Sequence, residues 1–184
     1  GESNVAVLAD EQTGGRGRLD RAWSSPSGGV WLSMLCRPDV PPAEVPGFTL
    51  AAAVATARAA RAAGAEATIK WPNDVQIDGA KLAGILTEME GEADRVSWIV
   101  VGIGVNANVD PAALPTDRPA TSLRESVGDV NRRTLTQNIV EEFWTLTRGD
   151  QAAILDGWRE LNATLGQRVR VTTPTQEIVG EAVD

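Results

Sequence analysis

The 184-residue sequence predicts an α+β fold: a mixed, largely antiparallel sheet backed by helices. Three observations carry that expectation. Between residues 68 and 101, apolar runs alternate with short polar turns, and one turn is the hairpin pair Asp78-Gly79. An alanine-rich stretch over 45–63 sets Leu50, Val54 and Ala57 at helical spacing, puts Arg58 and Arg61 on the wet side and ends on Gly64, a natural stop. Two strand-like runs, at 5–9 and 30–36, precede that helix, and two helical segments follow the meander, which the alanine-rich helix backs.

Taken in order, residues 5–9 (Val5-Ala6-Val7-Leu8-Ala9) read as a buried strand, and Asp10-Glu11-Gln12 lead out of it into a glycine- and arginine-rich loop. Residues 30–36 form a second apolar run, closed by Arg37-Pro38 and Pro41-Pro42. After the alanine-rich helix come strands at 68–71, 75–77 and from about Lys81 to Glu88, then a polar turn at 91–94 and a strand at 96–101. Small alanines let the helix lie close on this meander. Trp71 falls in a strand and reads as core. Gly102-Ile103-Gly104-Val105-Asn106-Ala107 has the spacing of a dinucleotide fingerprint, but that motif must open a helix. Asn108, Asp110, Pro111 and Pro115 follow instead, so the glycines bring main chain close to a ligand or a neighbouring strand. Two helices are expected at 135–147, capped by Thr134, and at 150–164, with Ile154, Leu155, Trp158 and Leu161 inward and Gly166 as the stop. Residues 168–172 and 176–183 alternate like a two-stranded hairpin, the start of a small β unit.

Composition removes several chemistries. Histidine is absent, so Ser-His-Asp triads and histidine metal sites are excluded within this sequence. Cys36 is the only cysteine, which rules out an internal disulfide and, with no histidine, a structural zinc site. No apolar run approaches a membrane span and no signal-peptide pattern opens the sequence, which points to a cytoplasmic protein. A formal net charge of -8 argues against a nucleic-acid partner.

Within that acidic chain, Gly14-Gly15-Arg16-Gly17-Arg18-Leu19-Asp20-Arg21-Ala22-Trp23 collects three arginines in six positions. Guanidinium forks and glycine main-chain N–H groups together suit phosphate or carboxylate oxygens. The loop is not a P-loop, because no Gly-Lys-Ser/Thr follows. A local basic pocket in an acidic body predicts a small anionic ligand.

Four pieces stand in a telling order: Gly15-Arg16-Gly17-Arg18-x-x-Arg21-x-Trp23-x-Ser25-Pro26; Lys70-Trp71-Pro72-Asn73-Asp74; Lys81-Leu82-Ala83-Gly84-Ile85-Leu86-x-Glu88; and Gly102-Ile103-Gly104-x-Asn106-x-Asn108. Over residues 5–110 this set resembles the catalytic domain of biotin–protein ligases, also called biotin–[acetyl-CoA-carboxylase] ligases. The resemblance implies a class II aminoacyl-tRNA synthetase-like catalytic fold over 1–164 and, over 165–184, the beginning of a small C-terminal SH3-like β-barrel. It implies ATP and magnesium as cofactors and biotin as substrate. Biotin's carboxylate attacks the α-phosphate of ATP, and biotinyl-5′-AMP then passes its acyl group to one lysine of a biotin carboxyl carrier protein.

By the same match Lys81 is the catalytic lysine, a positioned charge at the carboxylate–phosphate junction, with Arg16 and Arg18 around the adenylate. Gln12 reaches the biotin end, and Gly15 and Gly17 lend main-chain contacts. Arg21 belongs to a part of the loop that orders over the ligand. Trp23 either stacks on adenine or anchors the loop. Gly84 lets biotin's rings approach the strand. Asn106 either contacts the nucleotide or caps a strand end. Asn73 and Asp74 either hold a turn or orient phosphate and metal; no protein metal ligand is assigned. The family's upstream Ser/Thr-rich motif lies before this sequence, so a piece of a longer protein, with weak or no activity alone, is expected. Bifunctional members add a DNA-binding winged helix; no nucleic-acid or membrane partner is expected of these residues. A homodimer is one assembly the resemblance allows, with no sheet edge identifiable from sequence. The competing readings are a lipoate–protein ligase and a non-catalytic biotin- or nucleotide-binding module.

Overall fold

The computed structural model describes residues 4–116, 118–173 and 175–183. Six strands form one sheet: β1 (Val5–Ala9), β2 (Val30–Cys36), β3 (Thr68–Lys70), β4 (Asp74–Ile77), β5 (Ala80–Gly91) and β6 (Val96–Val105). Their spatial order is β1-β2-β6-β5-β4-β3, and every neighbouring pair is antiparallel. Parallel pairing among the described residues is confined to the isolated bridges Ile69–Asn162 and Lys81–Ala120. The predicted meander β3-β4-β5-β6 is therefore present. Its first long turn is the expected one: Asp78 and Gly79 both have positive φ, 49° and 81°, as a tight hairpin of matching twist requires.

Helix α1 (Val45–Ala62) lies across one face of the sheet, and its buried run from Ala51 to Ala57 explains why the sequence is so rich in alanine. It is wedged between the sheet and two later helices, α3 (Arg132–Arg148) and α4 (Gln151–Leu161), so it has almost no wet side. Arg58, expected in water, instead pairs with Glu142 of α3 at 2.5 Å and lies 3.9 Å from Glu160 of α4. Thr49 of α1 and Thr87 of β5 share a hydrogen bond of 2.8 Å, which fixes Ala83, Ile85 and Thr87 on the helix-facing side. Gly64 has φ +100°, the left-handed conformation that follows a helix end.

Several sequence expectations need correction. β1 is an edge strand, not a buried one: Val7 is 60% and Leu8 53% exposed, because an apolar run does not reveal whether both neighbours of a strand are present. Trp71 is not core; it follows β3 in a turn and is 50% exposed. β6 does not stop at Val101 but carries Gly102–Val105 as regular strand, since glycines there face a clear sheet surface rather than a turn. Helix α3 begins three residues before the expected start, with Asn131, not Thr134, as its cap: Asn131 Oδ1 accepts from the Thr134 N–H at 3.1 Å. Helix α4 ends at Leu161, short of Gly166, because Asn162 Oδ1 takes the N–H groups of Thr164 and Leu165 and turns the chain. Leu155 on that helix is 36% exposed rather than inward. A short helix α2 (Leu123–Val127), started by Ser122, is too brief to leave a periodic signal. Strands β7 (Arg168–Thr172) and β8 (Glu177–Glu181) form a separate two-stranded sheet, as expected but shorter at its second strand.

The cap assignment is testable by denaturant unfolding. Asn131→Ala is expected to lower stability by about 1 kcal/mol, whereas Thr134→Ala, exposed and not the cap, should change it by less than about 0.5 kcal/mol. Cys36 supplies a second check. Its burial pushes the thiol pKa up from 9.0 to about 11, so at pH 8 it should stay unreactive toward thiol reagents until the chain is unfolded.

Candidate ligand-binding site

The sheet face turned away from α1 carries the predicted site. Strand alternation puts Gly84, Leu86 and Glu88 of β5 on this face, and register sets Gly84 opposite Gly104 and Leu86 opposite Gly102 of β6. On β2, Trp31 stands opposite Gly104 and Ser33 opposite Gly102. Three glycines on two adjacent strands leave the centre of the sheet bare.

The glycine–arginine loop folds onto that bare floor as an irregular hairpin. The Trp23 N–H donates to Gly15 O at 2.9 Å, Gly17 N–H to Arg21 O at 2.7 Å, and Gln12 N–H to Ser25 O at 3.0 Å. The Gln12 side chain is held as well, its Oε1 accepting from Ser25 Oγ at 2.8 Å. Leu19 sits at φ 57° and is 81% exposed at the loop tip, a left-handed position that a branched aliphatic residue adopts at some cost. Trp23 is laid flat on the floor: a methyl group added at Gly104 would lie 2.4 Å from its Nε1, and one at Gly84 3.1 Å from its Cζ3. Its ring meets Trp31 edge-on, with centroids 6.5 Å apart. Trp23 thus anchors the loop, and Gly84 and Gly104 are the vacancies that receive it.

Three cations of the predicted set, Lys81, Arg16 and Arg18, have an acceptor on the β4–β5 hairpin or the turn before it. Lys81 Nζ lies 2.6 Å from Asp74 Oδ1 and 5.1 Å from the centre of a Trp23 ring. Arg16 pairs with Glu88 at 2.8 Å, and Arg18 donates to Asn73 Oδ1 at 3.0 Å. Asn73 is itself fixed to β5: its Nδ2 donates to Ile85 O at 2.7 Å and its carbonyl accepts from the Ile85 N–H at 2.9 Å. Asn73 thus holds the turn, and Asn73 and Asp74 both face the cations. Arg21 is exposed, and among the described residues its hydrogen bonds are main-chain ones.

The pairs differ in shielding. The Lys81 and Asp74 side chains are 31% and 22% exposed, those of Arg16 and Glu88 70% and 40%. An exposed ion pair contributes about 0–1 kcal/mol, so Arg16 exchanges partners readily, while Lys81 is held more firmly. Beside these groups a cleft of about 510 Å³ is lined by Gln12, Gly15, Trp23, Ser25, Pro26 and Pro115. Arg16, Arg18 and Lys81 are not on its wall; they lie along the adjoining sheet face, and Trp23 is the residue common to both. Asn106 is not in the cleft either. It is 2% exposed, and its side-chain amide donates to Thr121 O at 3.0 Å, a contact that ties strand ends together, while its Oδ1 is buried with no partner among the described residues. Among the described residues, no group of three acidic or cysteine side chains is placed to hold a metal ion. No helix among them is long and apolar enough to cross a membrane.

An ammonium and two guanidinium groups are ranged along a glycine floor, beside a cleft closed by an indole, an arrangement whose donors suit anionic oxygens. Residues 2–106 match the model of the biotin/lipoate A/B protein ligase family, and the chain belongs to that family. It is 47% identical over 139 residues to the bifunctional ligase/repressor BirA of Bacillus subtilis, covering 73% of this chain and 43% of that protein. It is 34% identical over 191 residues to the biotin–[acetyl-CoA-carboxylase] ligase of Paracoccus denitrificans, covering 97% of this chain and 80% of that one. Among solved structures, the biotin protein ligase of Aquifex aeolicus in complex with biotin and ATP superposes with a TM-score of 0.81 at 27% identity, covering 99% of this chain and 78% of that one. The chain thus spans less than half the length of the Bacillus relative.

The indole–glycine contact predicts a measurable coupling. Gly104→Ala should destabilise the native chain by about 1–3 kcal/mol, and the same change in a Trp23→Ala background should cost far less. Equal costs in the two backgrounds, measured by urea unfolding, would mean that Trp23 does not rest on Gly104.

Proposed function

We propose that this chain carries the adenylate-forming site of a biotin–protein ligase. The observation that supports this most directly is the setting of Lys81, held between Asp74 and the Trp23 ring over the Gly84–Gly104 floor, with Arg16 and Arg18 fastened to the same hairpin. In the first step a biotin carboxylate oxygen bonds to the α-phosphorus of ATP, and the bond to the pyrophosphate oxygen breaks. Both reactants are anionic, so the barrier is dominated by charge. Lys81 lowers it by presenting N–H donors to the carboxylate and α-phosphate oxygens as negative charge builds between them. Asp74 holds the ammonium by charge, and the ammonium keeps N–H donors for the ligand. Arg16 and Arg18 exchange Glu88 and Asn73 for nucleotide oxygens, Gln12 and the main chain of Gly15 and Gly17 face the biotin end, and Arg21 closes over the adenylate.

In the second step a lysine amine of a biotin carboxyl carrier domain attacks the acyl carbon. The C–O bond to the phosphate breaks and AMP leaves with its electron pair. Magnesium enters on the ATP phosphates; one or two carboxylates plus phosphate oxygens are its usual ligands. We assign residues 1–164 to a class II synthetase-like catalytic unit and the β7–β8 hairpin to the start of an SH3-like barrel. A cytoplasmic location accords with the ATP requirement.

Pyrophosphate release with biotin, lipoate or neither, each with ATP, tests the reading. Biotin-dependent release is expected; release with lipoate alone would reassign the substrate. Lys81→Ala should cut adenylate formation by about 10²-fold or more while leaving biotin affinity within about threefold. Arg18→Ala should speed dissociation of biotinyl-5′-AMP by about tenfold or more, read by trapping the released intermediate. An unchanged off-rate would remove Arg18 from the adenylate contacts.

A further inference from the structure

The glycine–arginine loop leaves the sheet at Asp10, just past β1, and rejoins it at Gly29, just before β2. The β1–β2 pairing ends at Ala9 and Trp31, and pairing within the loop resumes at Gln12 and Ser25. Between those points the returning segment, residues 26–29, is seated by groups outside the loop. Trp31 Nε1 donates to Pro26 O at 3.0 Å. The Asn108 N–H donates to Gly28 O at 2.9 Å. Arg132 Nη1 donates to Gly29 O at 3.1 Å, while its Nη2 donates to Asp10 Oδ1 at 3.2 Å. One guanidinium of α3 thus spans the mouth of the loop.

Asn108 closes the sequence motif over 102–108, and the site described above gives it no task. Its side chain is turned to the segment between α2 and α3. Nδ2 donates to Val130 O at 2.9 Å, and Oδ1 accepts from the Val130 N–H at 2.9 Å. The amide thus pairs with one residue's main chain through a donor and an acceptor, as a neighbouring strand would. Val130 stands two residues before Arg132. Asn108 therefore meets Gly28 through its main chain and fixes the root of Arg132 through its side chain. Gly28 is fitted to that contact: its φ is +105°, and a methyl group added there would lie 2.7 Å from Asn108 O.

We propose that Asn108 is a positioning residue for the glycine–arginine loop. It splices the segment before α3 to the returning end of the loop, so that Gly28, Gly29 and Arg132 hold that end as one unit. The loop so held carries Gln12, Arg16, Arg18 and Trp23. The functional consequence rests on the biotin-ligase reading of those residues, and the splice rests on geometry alone. The position requires a donor and an acceptor on one short planar group, which asparagine supplies. Leucine would keep much of the volume and make neither bond. Aspartate would keep the bond from the Val130 N–H but set a carboxylate against Val130 O, so Asn108→Asp is expected to loosen the loop as well.

The loop offers its own probe, since Arg16, Arg18 and Arg21 are trypsin sites. Brief trypsin treatment of the folded chain, read by mass spectrometry as the ratio of loop cuts to cuts after Arg95, isolates local opening, because Arg95 is an exposed site on another turn. Asn108→Ala is expected to raise that ratio by about threefold or more, and to speed dissociation of added biotinyl-5′-AMP by about fivefold. Phe143→Leu, a core change among Phe48 and Trp144, should leave the ratio within about twofold of native, which separates loosening of the loop from general loss of stability. A ratio within about twofold of native in folded Asn108→Ala overturns the splice, and a raised ratio with an unchanged off-rate overturns the positioning role. Should that variant fail to fold, Gly28→Ala, which presses on Asn108 O from the other side, is held to the same two criteria. A native chain that releases no pyrophosphate would count against the proposed function, and the cleavage ratio would still decide the splice.

Discussion

The bare centre of the sheet is the constraint on which the site depends. Gly84 and Gly104 face each other across β5 and β6, and the Trp23 indole occupies the space that two side chains would fill. Placing the indole there pins the C-terminal end of the glycine–arginine loop. That in turn sets where Arg16 and Arg18 emerge, because Gly15 and Gly17 are bonded back to Trp23 and Arg21. The same ring lies over Lys81. A substitution at Gly104 therefore acts on three cations that it does not touch, and one at Gly84 also presses on Lys81, whose Nζ lies 3.3 Å from an added methyl group.

On the opposite face the demand is the reverse. There the sheet must be filled rather than emptied, and Ala83, Ile85, Val101, Ile103 and Val105 meet the alanine run of α1 with almost no residual exposure. Alternation along β5 and β6 separates the two demands residue by residue. It makes the rigid layer and the ligand-facing layer two sides of the same strands, and gives the Lys81–Asp74 pair a stiff backing.

The meander, the alanine-rich helix and the Asp78-Gly79 turn were legible in sequence because each rests on a local signal: alternation, helical spacing or a positive-φ pair. The site motifs were legible as a resemblance, which names residues but not their partners. What escaped depended on contacts distant in the chain. Edge position exposes Val7 and Leu8 of β1, and carboxylates on α3 and α4 pair with Arg58. Asn131 displaced Thr134 as a cap because both residue types suit the role, and only backbone geometry separates them. The acceptors Glu88 and Asn73 carried no signal as partners of Arg16 and Arg18; they lie 72 and 55 residues away in the chain. Strand alternation offered a partial clue, since Glu88 shares its face with Gly84.

Unequal shielding of the ion pairs has a consequence for how an anionic ligand is received. Arg16 and Glu88 meet in open solvent, where breaking the pair costs little and the guanidinium is free to swing toward a phosphate. Glu88 is then left hydrated rather than buried, so no large desolvation penalty opposes the exchange. Lys81 and Asp74 are more enclosed, and removing Asp74 from the ammonium would leave a carboxylate partly buried without a partner. The lower-cost course is for Lys81 to keep Asp74 and offer its remaining donors to the ligand. Under the proposed chemistry the two kinds of cation then have different duties: the arginines travel to the ligand, and the lysine stays where the sheet and Asp74 hold it. An ammonium that does not move needs no reorganisation when charge develops beside it, which is the condition under which electrostatic stabilisation is most effective.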